Sequence, residues 1–431
     1  MVSTASPETN SETSLLIVQD DLSLAGSTLL SPAQKRVATL QFLALCFSLF
    51  VLGWNDGSTG TLLPRIQEVY NVSYGTVSWI FAVLCMGAVL GGLFNMPLND
   101  RLGFGKMIVL GAIFQGISFA AEACAPPFFF FVLTFFVGGL GMALQDAQAN
   151  GFMATVKHDG EIKMGLLQAA YGAGALCAPL SATQFSQMTH WSFHYLVSLT
   201  LSLLNALFLL YVFRLKGQDD CLREAGEIIP EHIENTTESS KFAQMFSIRA
   251  VHVLALFLIL YIGTEVTIGG WIVTFMLVER DGGAASGYVA SGFFAGLTAG
   301  RVILIPVNQW LGEAKAVYLY TVLALFFQVI VWLVPSMIIG SIAVFCIGIV
   351  LGPMYPIVMR HSARVIPRSL VTGSIGWITA WGAAGSAILP FFTGALASHF
   401  GIISLQPYLV VMMIAMGATW LVVPKASLDG Q

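Results

Sequence analysis

Residues 99–106 read NDRLGFGK, and residues 308–315 read NQWLGEAK. The two stretches agree at Asn99 and Asn308, Leu102 and Leu311, Gly103 and Gly312, and Lys106 and Lys315, so position 99 maps to 308 at an offset of 209 residues. The same offset carries another stretch, GWNDGSTGTLLPRIQ at 53–67, into the second half of the chain. Asp56 lands on Glu265, Ser58 on Thr267 and Gly60 on Gly269. Two alignments at one offset point to an internal duplication.

The surroundings of these stretches set the class. The chain has 431 residues, 56% hydrophobic and 10% charged, against about a quarter charged in soluble domains. That excludes an ordinary soluble enzyme. A net charge of −4 is too small to suggest a nucleic-acid partner. A helix needs about 20 apolar residues to cross the hydrocarbon core. Twelve such runs can be read, at 39–63, 74–96, 105–124, 127–152, 163–187, 192–213, 249–278, 286–306, 314–333, 335–359, 369–397 and 404–424. Backbone groups in lipid must bond within their own segment, so these runs are helices. The polar segment 214–248 divides them six and six. The expectation is an all-α membrane protein of twelve transmembrane helices in two pseudo-symmetric six-helix halves, 38–213 and 249–424. A disordered cytoplasmic N-terminus (1–37), a cytoplasmic linker (214–248) and a short cytoplasmic tail (425–431) complete the plan. Two related halves around a central site are the architecture of many secondary transporters.

Of 19 lysines and arginines, Arg65 and Arg280 fall in odd-numbered loops and Arg301 within a span; the other 16 lie at the termini or in even-numbered loops. Positive charge gathers on the cytoplasmic side, so both termini are expected there. NVS (71–73) then faces outward, where glycosylation is open to it, and NTT (235–237) stays inside and bare. ETSLLI (12–17) has the spacing of an acidic di-leucine sorting signal. The plasma membrane is favoured over the vacuolar one. The six cysteines are scattered and read as small apolar packers.

LNDRLGFGK (98–106) resembles the loop motif of the major facilitator superfamily, in which Asp-Arg between glycines helps latch the cytoplasmic side. Met96 stands where the first glycine is expected and the basic pair is displaced to Lys106, while the second copy has no Asp-Arg. The resemblance therefore rests the cytoplasmic gate on Asp100, Arg101 and Gly103. WNDGSTGTLLP resembles the first span of fucose-permease-like transporters, and DAQANGF (146–152) their fourth, with Asp146 in place of a glutamate. EVTIGGWIVTF (265–275) and GPMYPIVM (352–359) are similar to fungal members of the bypass-of-stop-codon type. In fucose-permease-like proteins two acids take part in proton coupling and a sugar sits between the halves.

Intramembrane acids are costly and face a cavity or a partner. Gly53, Asp56, Gly57 and Gly60 form one small face of the first span, open to a neighbouring helix or a ligand. Desolvation favours a protonated Asp56, which suits proton loading near neutral pH; the competing reading is an acid that bonds the next helix. Asp146, flanked by Gln145, Gln148 and Asn150, either couples protons or meets cytoplasmic water at an early helix end. Glu265 either faces the cavity opposite Asp56 or bonds Tyr261 one turn earlier. Substrate-cavity candidates are Asn55, Gln145, Asn150, Gln168, Tyr171, Trp377 and Trp381, which offer amides, a hydroxyl and an aromatic platform. For Arg301, snorkelling or a structural ion pair is favoured over substrate binding. Glu122 is assigned to an outer end near water, with no role. Trp54 and Trp271 are read as interfacial belt residues, His190 and His194 as loop histidines. Gly87/Gly91, Gly296/Gly300 and Gly348/Gly352 are spaced for close helix packing. Pro179, Pro353, Pro356 and Pro390 are expected to bend helices.

No nucleophile–base spacing, metal-ligand cluster or phosphate-binding glycine loop appears, so neither an enzyme nor a cofactor is expected. The leading expectation is a monomeric secondary transporter of a small polar solute, with a sugar as the first candidate and proton symport as the mode. An exporter or drug:proton antiporter is the alternative, and a non-transporting receptor the further one.

Overall fold

The computed structural model describes residues 31–156, 160–227, 244–367 and 370–424. The sorting string at 12–17, the NTT at 235–237 and the tail at 425–431 lie outside the described residues, and the side chain of Met96 is likewise not described. Among the described residues the regular structure is helical, with no strand.

The first helix shows why the chain folds as it does locally. α1 (Pro32–Tyr70) begins at Ser31, whose hydroxyl accepts the Gln34 amide while the Gln34 side chain accepts the Ser31 amide. Pro32 sits where a missing amide costs nothing. At 39 residues and 1.5 Å each, α1 is about 58 Å long, far more than one bilayer crossing needs. It ends at Asn71 in the left-handed conformation, φ 49°.

A single turn (Tyr74–Val77) leads into α2 (Trp79–Leu102), followed by α3 (Phe104–Ala123), α4 (Phe128–Thr155), α5 (Gly160–Ser186) and α6 (His194–Phe213). A short helix in the linker, α7 (Gln218–Glu224), was not foreseen; it buries Cys221 and Leu222 against the base of the first half, where Gln41 Nε2 donates to the Cys221 carbonyl at 2.9 Å. The second half runs α8 (Arg249–Glu279), α9 (Gly287–Ile303), α10 (Ile305–Leu311), α11 (Glu313–Leu333), α12 (Met337–Leu351), α13 (Met354–Val365), α14 (Val371–Phe400) and α15 (Leu405–Val422). Each predicted span has a helical counterpart. Two are broken: the eighth bends by 52° between α9 and α10, just before Pro306, and the tenth breaks at Gly352-Pro353 between α12 and α13. By length and composition ten helices can cross a membrane, eleven with the bent pair. α5 is the remaining one. Its 27 residues are long enough, but Gln168, Tyr171, Thr183 and Gln184 dilute its apolar character.

The halves repeat one packing plan. α1 packs on α5 and α6, α2 on α4, and α3 on α4 and α6; correspondingly α8 packs on α14 and α15, α9 on α12, and α11 on α12 and α15. The 209-residue offset persists at the atomic level. A methyl group on Gly87 would lie 2.1 Å from the Phe136 carbonyl oxygen, and one on Gly296 would lie 2.3 Å from that of Phe345. Gly139 meets the Leu84 carbonyl at 2.1 Å, and Gly348 meets that of Phe293 at 2.3 Å, on the same terms. All four pairs are related by 209. Gly103 and Gly312, at φ 80° and 79°, close equivalent turns.

The halves meet through α1 on α8, α2 on α14 and α5 on α9. Alternating helices place both described ends on one face, here called the terminal face. At the opposite face the halves are shut. Gly75 N donates to Ser398 Oγ at 2.5 Å, Trp79 meets Phe391 edge-on at 5.1 Å, and Gln184 Nε2 donates to the Tyr288 hydroxyl. Gly60 crosses α8 so tightly that a methyl there would sit 2.1 Å from the Gly269 carbonyl oxygen.

Candidate functional site

Asp56 lies midway along α1. The turns around it are fixed by glycine: Gly53 and Gly57 pack on the α5 main chain at Tyr171 and Ala175, and Gly60 on α8. The small face of α1 thus serves helix–helix contact, the neighbouring-helix alternative. It seats α1 against α5 so that the Tyr171 hydroxyl donates to Asp56 Oδ2 at 2.5 Å. Asp56 and Tyr171 both remain half-buried.

The offset partner Glu265, on α8 across the interface, is also half-buried. It and Asp146 stand near enough to Asp56 for their charges to act on it. Arg301 on α9 and Tyr355 on α13 complete the group: Arg301 acts on Tyr171, Tyr261 and Tyr355, and Asp146 on Tyr355. Tyr355 is itself the 209-residue counterpart of Asp146. Apart from the buried Tyr261, these charged and phenolic groups of both halves therefore face one another while keeping solvent exposure, which marks a cleft between the halves. Asp146, on its terminal-face side, is exposed.

A chain of amides lines the terminal-face side of this cleft. Asn150 Nδ2 donates to Asp146 Oδ1 at 2.8 Å, Gln168 Nε2 donates to Asn150 Oδ1 at 3.1 Å, and Arg301 Nη1 reaches the Gln168 carbonyl oxygen at 3.4 Å. Asp146, Asn150, Gln168 and Tyr171 are thus brought together with Asp56 and Glu265.

Other sequence candidates lie elsewhere. Gln145 is wholly buried inside the first half, where its Oε1 accepts from Ser48 at 2.9 Å and from Asn205 at 3.2 Å. Asn55 is 5% exposed and donates to the Met142 sulfur. Both turn inward among α1, α4 and α6 because an unpaired amide facing lipid would cost more than a bond between helices. Trp377 packs edge-on with Trp381 at 5.6 Å and with Phe246 at 4.9 Å, and its Nε1 is buried without a partner among the described residues. Asp100 and Arg101 are exposed and form no ion pair among the described residues. At the equivalent corner of the second half, Glu313 holds Arg360 at 2.7 Å and Arg364 at 2.9 Å, a clamp the motif did not suggest.

Several readings are corrected. Arg301 forms no ion pair among the described residues. Glu265 stands close to Tyr261, one turn earlier, and acts on the buried Tyr261 hydroxyl. Trp54 and Trp271 are core residues: Trp54 stacks on His194 and donates to Ser198, and Trp271 donates to the Pro390 carbonyl. Their indole N–H groups find partners inside the bundle, so they need no interface. Glu122 is 1% exposed and accepts from Ser118 and Thr134. His194 is buried between Ser58 and Ser181. Among the described residues no group of His, Cys, Asp and Glu is placed to hold a metal.

The family model of the Major Facilitator Superfamily matches residues 45–388. The chain belongs to that superfamily. Bypass of stop codon protein 6 of Saccharomyces cerevisiae is 28% identical over 415 residues, covering 90% of this chain and 82% of the relative. The glucose/mannose transporter GlcP of Bacillus subtilis is 20% identical, covering 80% of this chain and 85% of its own length. The fold is shared with the E. coli fucose:proton symporter, at TM-score 0.62 and 15% identity over 89% of this chain and 98% of that one. The resemblance to fucose-permease-like and fungal bypass-of-stop-codon proteins is thereby borne out. As a superfamily member the chain is an integral multi-pass membrane protein of a transporter family, not of a family of enzymes.

Proposed function

We propose that this protein is a proton-coupled symporter of a sugar-like solute, with Asp56, Glu265 and Asp146 as proton-coupling acids. The observation that carries the reading is the pairing of Asp56 with Glu265 at one repeat offset, on the two helices that cross between the halves, beside an exposed cleft. Ionised acids at such a depth are expensive. Protonation removes that cost, so proton loading is tied to how much water the cleft admits, and that changes as the halves rock. The names of the Bacillus relative and of the fucose:proton symporter support a sugar and a proton as the cargo.

In this arrangement the terminal face is cytoplasmic, by the excess of basic residues there, and the plasma membrane is the favoured location. The described state is closed outside and open to the cytoplasm. Asn150, Gln168 and Tyr171 hold the solute, with Trp377 and Trp381 as an aromatic platform beside it. Asp100, Arg101 and Gly103 engage when the cytoplasmic side closes. The protein works as a monomer, without cofactor.

The test is uptake of labelled glucose, xylose and fucose into proteoliposomes with an acidic exterior. The reading predicts accumulation of at least one of them that a protonophore abolishes. Uptake of all three equal to that of empty liposomes would refute the sugar assignment, and accumulation indifferent to the protonophore would refute the proton.

A further inference from the structure

Arg301 is the group in the cleft that the proton and sugar reading leaves without work. It sits near the end of α9 facing α5 of the other half, half-buried, with Nη1 at 3.4 Å from the Gln168 carbonyl oxygen. That is a long, marginal bond. Its Nε is buried with no partner, and it joins no ion pair among the described residues. A guanidinium presents five donors in a fixed fork that matches a carboxylate edge. Here that fork is almost unspent.

The surrounding charges have two states. Arg301 acts on Tyr171 from α5, Tyr261 from α8 and Tyr355 from α13, and the same tyrosines are reached by the acids: Tyr171 by Asp56 and Glu265, Tyr261 by Glu265, and Tyr355 by Asp146 and Glu265; α12 meets α9 through the main chain of Phe345 and Ile349. With the acids ionised, they offset Arg301 from a distance and repel an anion. With the acids protonated, a bare guanidinium remains deep in the protein, uncompensated. A neutral solute does nothing for it.

We propose that the solute is a hydroxylated carboxylate of the sugar-acid class, whose carboxylate is taken by Arg301. The inference rests on the transporter reading above and narrows its substrate. It also supplies the coupling: the anion replaces the negative charge that protons remove, so proton and solute enter the cleft together. Asn150, Gln168, Tyr171 and Tyr355 meet the hydroxyl groups.

The experiment measures binding of glucuronate and glucose to the full-length protein in nanodiscs by calorimetry at pH 5.5 and 7.5, for wild type, Arg301→Gln and Arg301→Lys. The expected result is glucuronate bound at least tenfold more tightly than glucose at pH 5.5, and more weakly at pH 7.5. Arg301→Gln abolishes that preference while glucose binding is unchanged, and Arg301→Lys keeps part of it. Equal or tighter binding of glucose by the wild type overturns the inference without needing any variant, and so does a glucuronate preference that survives in Arg301→Gln. Glucose accumulation driven by protons in the absence of glucuronate binding would sink this inference alone. Failure of both probes to bind or to be transported would sink the transporter reading with it.

Discussion

Gly60→Ala is a wedge placed at the seam that keeps one face shut. The added methyl lies 2.1 Å from the Gly269 carbonyl oxygen and 2.8 Å from the Gly270 Cα. Both are main-chain atoms of α8 and cannot rotate away. For the oxygen contact to reach an ordinary 3.4 Å, α1 and α8 must separate locally by roughly 1.3 Å, and overpacking of this kind costs about 1–3 kcal/mol. That cost falls on the state in which the halves touch here and is relieved when they part. The closed-face population should therefore drop by about 5- to 150-fold relative to the alternative. Spin labels at the exposed Thr76 and Phe400, on a cysteine-free background, report the separation across the seam. The expected outcome is a new, longer distance in Gly60→Ala. Gly53→Ala is the control, because its methyl meets the Tyr171 carbonyl at 1.9 Å inside the first half and should lower the melting temperature without changing that distance. A correctly folded Gly60→Ala whose distance distribution matches wild type would refute the reasoning.

Gln145→Leu removes the acceptor shared by the Ser48 hydroxyl and the Asn205 amide in a dry interior, leaving them only their bond to each other, and should cost about 1–3 kcal/mol of stability; melting of the purified protein should fall, with solute affinity at low temperature unchanged. Gly103→Ala and Gly312→Ala each force a side chain into the positive-φ region at about 1–2 kcal/mol. Because the two turns are equivalent, the drops in melting temperature should match, and a large inequality would argue against the repeat at this level.

The order of the helices was legible because lipid leaves the backbone so few options, and apolar length alone marks a span. The repeat was legible too, since the loops at 99–106 and 308–315 fixed an offset that later placed Glu265 opposite Asp56. What failed was the direction in which a polar side chain points. Gln145 and Asp146 are neighbours, yet one turns into a packed interface and the other into the cleft, and one residue of helix phase decides between them. Trp54 and Trp271 were misplaced because an indole is equally content at a headgroup or beside an internal acceptor such as Ser198 or the Pro390 carbonyl. Glu122 was underestimated because Thr134, on the next helix, joins Ser118 one turn back as its partner only after α3 and α4 pack. The clamp of Glu313 on Arg360 and Arg364 joins residues about 50 apart, with no local pattern to betray it.

The central claim is that Asp56 ties solute movement to a proton. Its most direct test sets Asp56→Asn beside wild type in proteoliposomes, measuring both solute accumulation under an inward proton gradient and solute exchange with no gradient. The account predicts exchange retained and accumulation lost. Accumulation by Asp56→Asn at the wild-type level would contradict it.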